Sequence, residues 1–144
     1  MAALVAWWEA YRPLALDSEV QVVNRTEKYA GSLDLICEVY GRRYLVDLKT
    51  GSTLGAEIPL QLAAYRYADS IFEDDRIIAE VPIVDACAVL WIPRDTPDDW
   101  QFLEVPAAGA EYSAFLNLKA THTYVKQREK AGIGTIILPQ GEVR

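Results

Sequence analysis

The chain has 144 residues and a formal net charge of −7, with 51% hydrophobic and 24% charged residues. This composition favours a single soluble domain with a hydrophobic core of its own. No apolar run approaches the ~20 residues that a membrane helix needs. The apolar start lacks a basic leader, so we expect neither a membrane span nor a signal peptide.

The numbers of cysteine and histidine residues limit the kinds of metal site that the chain can form. Two cysteines at no metal-like spacing and a single histidine argue against a histidine-rich zinc or iron site and favour reduced thiols in the cytoplasm. The acidic balance counts against a protein that binds DNA non-specifically. It is compatible with a site that gathers carboxylates around a cation, because such a site is itself acidic.

Local patterns predict one α/β domain over residues 1–144, in the order helix, three strands, helix, two strands, helix. The first helix ends before Pro13, and a turn at Gly41 joins the second and third strands into a hairpin. The predicted helices cover 2–11, 57–72 and 111–132, and the predicted strands cover 19–24, both arms of 29–51, 84–93 and 100–106. The segment 133–144 is predicted as an edge strand or a flexible end. These elements predict a central mixed β-sheet flanked by helices.

Two charged residues stand in the apolar second half of the strand that ends at residue 49. Strand side chains alternate between faces, so Asp47 and Lys49 share one face with Leu45, roughly 6.5–7 Å apart. Asp34 lies in the partner strand and can approach Asp47 on that face. Two carboxylates that converge with a lysine suit a hard cation such as Mg²⁺, which can polarise a phosphodiester.

Simpler interpretations exist for each of these features. An Asp-x-Lys pair on a strand is often a solvated outer face with a weak cross-strand pair. Gln61 and Tyr65 lie four residues apart on one face of the second helix, which can equally be an ordinary packing helix with a polar rim.

The ordered set of motifs is more specific than any one of them. The sequence reads E-x-Q-V-V at 19–23, Y-A-G-S-L-D-L-I at 29–36, Y-L-V-D-L-K-T-G at 44–51 and Q-L-A-A-Y at 61–65. This set resembles the PD-(D/E)XK nuclease superfamily, and more closely its RecB-like exonuclease domain of the phage type. The resemblance implies a restriction-endonuclease-like core and a Mg²⁺- or Mn²⁺-dependent deoxyribonuclease in DNA recombination, repair or phage DNA processing. It also implies DNA as the partner, with a helicase or recombination protein as a further candidate.

The resemblance assigns the metal ligands. Asp34 and Asp47 would bind the cation, with the backbone carbonyl of Leu48 as a third ligand. Glu19 matches the upstream glutamate of the family and would ligate or orient a metal or its water. The alternative for Glu19 is a solvated side chain that opens a strand.

The resemblance also assigns the residues around the lysine. Lys49 would be the catalytic lysine beside the attacking water. Gln61 and Tyr65 match the helix motif that braces this lysine and touches the DNA backbone. Gly31 and Gly51 match glycines that permit tight backbone near the site.

Two departures from the family pattern matter. Several relatives bind an iron–sulfur cluster through four cysteines, and two cysteines cannot supply four thiolates, so no cluster is expected. Relatives usually carry a helical region upstream, whereas about a dozen residues precede Pro13 here. We therefore expect a minimal core or a fragment that lacks this region.

Basic side chains are the candidate DNA contacts. The last helix carries four of them at i, i+3, i+7 and i+11, which form one stripe: Lys119, His122, Lys126 and Lys130. A solvated helix face is the alternative for this stripe. Arg42 and Arg43 at the hairpin tip, and Arg66 on the motif helix, are further candidates.

Other functions remain open at this level. The chain could be a DNA-binding module of the same fold with impaired catalysis, a structural domain, or a structure-specific endonuclease. Intact Asp34, Asp47 and Lys49 favour catalysis, because buried charges without a task are costly to fold.

Overall fold

The computed structural model describes residues 2–141 as three α-helices and seven β-strands, with one short 3₁₀ turn at Pro97–Asp99. In chain order the elements are α1 Ala2–Tyr11, β1 Leu14–Asn24, β2 Tyr29–Val39, β3 Arg42–Lys49, α2 Ile58–Arg66, β4 Ser70–Glu73, β5 Arg76–Glu80, β6 Ala86–Trp91, β7 Gln101–Val105 and α3 Gly109–Ala131.

The seven strands form one sheet in the order β5-β4-β1-β2-β3-β6-β7. Neighbouring strands run antiparallel except for β3 and β6, which are parallel. Parallel neighbours need a long crossover, and here the crossover contains α2 and the β4–β5 hairpin. The predicted α/β fold with a central mixed sheet flanked by helices is confirmed, and it is consistent with a restriction-endonuclease-like core.

Helices cover both faces of the sheet centre. On one face, α1 packs through Trp7 against residues of β2, β3 and β6. On the other, α2 packs through Leu62 and Ala63 against the opposite side chains of the same strands. Strand β6, with the sequence ACAVLW, is buried along almost its whole length. A continuous apolar strand of this kind is typical of a parallel position covered on both sides.

Two tight turns set the register of the hairpins. Tyr40 and Gly41, between β2 and β3, have φ values of +51° and +78°. Asp74 and Asp75, between β4 and β5, have φ values of +51° and +61°. Positive φ at both central residues is typical of the two-residue turns that match the twist of antiparallel strands. The predicted hairpin at Gly41 is therefore confirmed.

The prediction of a helix over 57–72 is wrong at its end. Helix α2 ends at Arg66, and residues 70–73 instead pair with β1 as β4. The carboxylate of Asp69 accepts the backbone N–H of Arg25 at 2.8 Å and the Ser70 hydroxyl at 2.6 Å, which turns the chain toward the sheet. The hairpin partner β5 was not predicted either. Helix propensity is a weak prior, and the free edge of β1 overrides it here.

The predictions for the first strand and for the last segment of the chain also differ from the structure. Strand β1 begins at Leu14 rather than at residue 19. Residues 133–141 form neither a helix nor a strand, so the edge-strand alternative is not found there, and the rest of that segment lies outside the described residues. No helix within residues 2–141 is long and apolar enough to cross a membrane.

Adjacent tryptophans on α1 provide a matched test of how this helix docks. Trp7 is 1% exposed, whereas Trp8 is 42% exposed. We expect Trp7→Ala to lower the free energy of unfolding by about 3 kcal/mol, at the lower end for a buried aromatic residue. We expect a value at the lower end because the indole Nε1 of Trp7 is buried without a hydrogen-bond partner among the described residues, which already reduces the stabilisation by Trp7. Urea unfolding measures the loss.

The control is Trp8→Ala, which removes an exposed ring from the same helix. Its cost should not exceed roughly 1 kcal/mol, the value of an aromatic pair contact. Equal losses for the two variants would contradict the described orientation of α1.

Candidate functional site

The candidate site lies where the ladder between β2 and β3 ends. The last paired residues are Leu35 and Val46, and the next step of that register lies between Asp34 and Asp47. The backbone N–H of Leu48 donates a 2.8 Å hydrogen bond to Oδ2 of Asp34. The exposed Asp34 carboxylate therefore takes the place of a backbone acceptor, and this holds it beside the end of β3.

Asp47 is a buried carboxylate near the carboxyl end of β3. Its residue is 4% exposed, and its Oδ2 lies 2.9 Å from Nζ of Lys49. The contact is an ion pair without good hydrogen-bond alignment, so this oxygen has no hydrogen-bond partner among the described residues. Burial raises the pKa of Asp47 above its ordinary value, Lys49 opposes the increase, and the nearby Asp34 adds to it. The structure thus brings the two predicted carboxylates together.

Lys49 is held from its other side by α2. Its Nζ donates to Oε1 of Gln61 at 3.0 Å. The Nε2 of Gln61 in turn donates to the hydroxyl oxygen of Tyr65 at 2.8 Å. A spacing of four residues puts Gln61 and Tyr65 on one helix face. A chain of contacts therefore runs from Asp47 through the lysine to Tyr65, as the predicted brace requires.

The strand end that carries Lys49 is fixed by β6. Lys49 pairs with Trp91 in the parallel register, and its carbonyl accepts the N–H of Ile92 at 2.8 Å. The indole N–H of Trp91 donates to the Gly51 carbonyl at 2.9 Å. The sequence does not predict this role of Trp91, because a contact made across parallel strands leaves no local signal.

A cleft of about 300 Å³ opens on the Asp34 side of the site. Asp34 and Leu48 line it together with Glu19, which stands opposite Asp34 on β1 at a φ of +52°. The Glu19 side chain is exposed. Residues 2–141 hold no group of three or more Asp, Glu, His or Cys side chains close enough to bind one metal ion. The role of Glu19 as a ligand therefore stays a prediction.

A second cleft, of about 540 Å³, opens on the Lys49 side. Helices α2 and α3 and the start of β2 form its walls. Among the lining residues, four have no role predicted from the sequence: Glu57, Leu60, Phe115 and Leu118. The sequence does not indicate this cleft, because the residues through which α3 contacts α2 look like an ordinary apolar helix face. This cleft gives a ligand access to Lys49, Gln61 and Tyr65.

The residues at the strand end fit a hard divalent cation. Asp34 and Asp47 supply carboxylate oxygens, one of them buried without a hydrogen bond. In an extended strand the N–H and C=O of one residue point to the same side. The Leu48 carbonyl therefore points toward Asp34, as its N–H does. One or two carboxylates with a few waters and a phosphate are the usual environment of Mg²⁺.

Two of the predicted basic contacts lie far from this site. Arg42 and Arg43 begin β3, whereas Lys49 ends it, roughly 23 Å away along an extended strand. Arg42 forms a 2.8 Å ion pair with Glu104. Arg43 donates from Nη1 to the carbonyl of Ile83 at 3.2 Å. The structure therefore does not bring either arginine to the candidate site.

Arg66 has a structural environment as well. Its guanidinium donates to the carbonyls of Ala107 and Val84 at 3.2 Å and of Asp85 at 3.4 Å. These carbonyls lie at the start of β6 and after β7, at the opposite end of the sheet from Lys49. Arg66 thus ties the loops that precede β6 and α3 to helix α2.

The basic stripe of α3 begins at the second cleft. Phe115 and Leu118 line the cleft, and Lys119 and His122 follow them by four residues along the same side of the helix. Lys126 is exposed and pairs with Glu129 at 3.2 Å. The stripe therefore begins, at Lys119, beside the cleft that gives access to Lys49.

The environment of Asp47 predicts how stability depends on pH without metal. The ordinary pKa of 3.8 is raised in the folded state, so between the two values the folded protein holds more protons than the unfolded one. Stability is therefore lost as pH rises through that window. Asp47→Asn removes this loss. In EDTA, we expect the free energy of unfolding of the variant to exceed that of wild type, by a margin that grows from pH 3.5 to neutral pH.

Urea unfolding across that pH range measures the margin. The matched control is Val46→Ala, which changes the neighbouring residue of β3 without removing an ionisable group, and its difference from wild type should stay constant across this range. A margin for Asp47→Asn that shrinks as pH rises would contradict the described burial.

Comparisons with known proteins add information on the fold. No family model matches the sequence, and a search of curated proteins returns no significant match. Among solved structures, the chain is similar to the crystal structure of SSO0001, with a TM-score of 0.51 and 15% sequence identity over 86% of this chain. This chain spans 56% of that chain. At this identity the similarity shows a shared α/β fold and nothing about activity.

Proposed function

We propose that this chain is a Mg²⁺- or Mn²⁺-dependent deoxyribonuclease of the PD-(D/E)XK superfamily that hydrolyses DNA phosphodiester bonds. The RecB-like motif order favours an exonuclease in DNA recombination, repair or phage DNA processing. We place it in the cytoplasm, because its two free cysteines, Cys37 and Cys87, are buried and unpaired, as is usual where thiols stay reduced.

One observation carries the proposal. Residues of β3 and α2 meet at the ammonium group of Lys49, and Asp34 of β2 lies beside the same strand end. Its Nζ lies 2.9 Å from Asp47 and 3.0 Å from Gln61, and Asp34 is close enough to raise the pKa of Asp47. A buried carboxylate with a raised pKa beside a cleft is typical of a functional site.

The chemistry follows from these contacts. A divalent cation bound by Asp34, Asp47 and the Leu48 carbonyl would polarise the phosphodiester and neutralise developing charge. An ammonium group has three donors. One of them points to Gln61, the Asp47 carboxylate lies beside the group as an ion pair, and the remaining donors can serve a water or a phosphate oxygen of the substrate. Lys49 thus orients the attacking water and stabilises charge in the transition state.

The acidity of the chain is compatible with DNA binding. The stripe that starts at Lys119 and continues through Lys126 concentrates positive charge on one helix beside the second cleft. Local positive charge attracts phosphates even when the net charge is negative. A cation held by Asp34 and Asp47 would add further positive charge at the strand end.

Activity assays test the proposal directly. Linear single- and double-stranded DNA should be cut in the presence of Mg²⁺ or Mn²⁺, and EDTA should abolish cleavage. Asp34→Asn, Asp47→Asn and Lys49→Met should each lower kcat/KM by at least about 10²-fold, because each removes a ligand or a donor needed in the transition state.

The matched control is Glu38→Gln, which lies four residues beyond Asp34 on β2, toward the hairpin turn, and should retain activity. Cleavage that survives in Asp47→Asn and Lys49→Met would identify a contaminant and refute the proposal. Salt-dependent binding without turnover by wild type would instead indicate a binding module of the same fold.

The α3 stripe makes a separate prediction about affinity. Lys119→Gln with Lys126→Gln should weaken DNA binding and reduce the slope of log Kd against log salt concentration by about 2, one for each lost phosphate contact. Fluorescence anisotropy at several salt concentrations measures this slope.

Arg42→Gln provides the control, because Arg42 is an exposed cation at the far end of β3. It should leave the slope unchanged. A larger effect from Arg42→Gln than from the α3 variant would place the DNA on the opposite end of the sheet.

A further inference from the structure

Gly31 on β2 faces the ring of Tyr65 on α2. A Cβ atom added at Gly31 would overlap this ring, closest to Cε1, with Cδ1 at 3.2 Å and Cζ at 3.4 Å. Contacts this close force one of the two groups to move. The ring cannot simply swing away, because its hydroxyl receives the hydrogen bond of Gln61.

The backbone at Gly31 does not itself require glycine. The glycines with positive φ among the described residues are Gly41, Gly132 and Gly141. Gly31 sits in the register of β1 and β2, opposite Val22. Glycine in a strand interior is intrinsically unfavourable and often marks a close approach. The space that the Tyr65 ring occupies is therefore the physical reason for glycine here.

Tyr65 helps to hold the Gln61 amide in the place where it meets the lysine. The amide has one oxygen acceptor and one NH₂ donor group. The NH₂ group points to the Tyr65 hydroxyl and the oxygen points to Lys49. If Tyr65 moves, the amide loses this acceptor and with it the contact that fixes the amide beside Lys49. Lys49 would then lose one of its two supports.

We propose that Gly31 is a positioning residue for Lys49. Its lack of a side chain lets the Tyr65 ring lie against β2, which fixes the Gln61 amide and holds the lysine beside Asp47. The catalytic consequence rests on the proposed nuclease function, whereas the structural part of the proposal does not.

A double-mutant cycle with Gly31→Ala, Tyr65→Ala and the combined variant tests this. Gly→Ala at a permitted backbone conformation is ordinarily stabilising, because it restricts the unfolded chain. In the wild-type background, Gly31→Ala should therefore lower the urea midpoint, whereas in the Tyr65→Ala background it should raise the midpoint or leave it unchanged. Gly109→Ala, where an added Cβ meets open space, is the matched control and should behave alike in both backgrounds.

Two further measurements report on the position of Lys49. The side-chain amide signals of Gln61 in ¹H–¹⁵N spectra should move in Gly31→Ala as they do in Tyr65→Ala, and stay in place in Gly109→Ala. In the nuclease assay, Gly31→Ala should lower kcat by about 10²-fold, the cost of a misplaced catalytic group. The KM for DNA should change little, and kcat should fall no further when Gly31→Ala is added to Tyr65→Ala.

Equal midpoint shifts from Gly31→Ala in both backgrounds, or unmoved Gln61 signals, would overturn the proposal. So would an active Gly31→Ala enzyme. If no variant cuts DNA, including wild type, the nuclease function fails, and the midpoints and the Gln61 signals still decide the role of Gly31.

Discussion

The contact between the Asp47 carboxylate and the Lys49 ammonium organises this molecule. Asp47 is buried near the carboxyl end of β3, where an unpaired charge would be strongly destabilising. The lysine compensates it only in part, since one carboxylate oxygen has no hydrogen bond among the described residues. An apolar residue at this position would make the fold more stable than Asp47 does. Such a loss of stability is expected where a binding or catalytic group is needed. The strands and helices around this pair supply the rigid support that a functional site needs.

Helix α2 links the hydrophobic core to this pair. Leu62 and Ala63 on one side of the helix pack on the sheet, and Gln61 and Tyr65 on another side reach the lysine. Packing therefore fixes the distance at which the amide of Gln61 meets Lys49. Arg66, one residue beyond Tyr65, ties the same helix to loops at the opposite end of the sheet. The helix that positions the lysine is thus held at the sheet, at the lysine and at its own carboxyl end.

Period-2 alternation in YLVDLK was sufficient to place Asp47 and Lys49 on one face, because the strand is regular. The turn at Gly41 then set the register that brings Asp34 beside Asp47, and the spacing of four residues placed Gln61 and Tyr65 together. Sequence could not predict β4, since the run after Arg66 has helical propensity and pairs with β1 only because that edge is free. It also could not separate the arginines from the site, because Arg42 and Lys49 belong to one strand but to opposite ends of the sheet. The space above Gly31 depends on the docking of α2 and has no local signature.

We propose that Asp34 and Asp47 form one cation site at the end of the β2–β3 ladder. Anomalous diffraction from crystals soaked in Mn²⁺ tests this most directly, because it locates the metal without relying on activity. We expect a Mn²⁺ peak beside the carboxylates of Asp34 and Asp47 in wild type, and its loss in Asp47→Asn. A peak elsewhere on the molecule, or none between these two carboxylates, would contradict it.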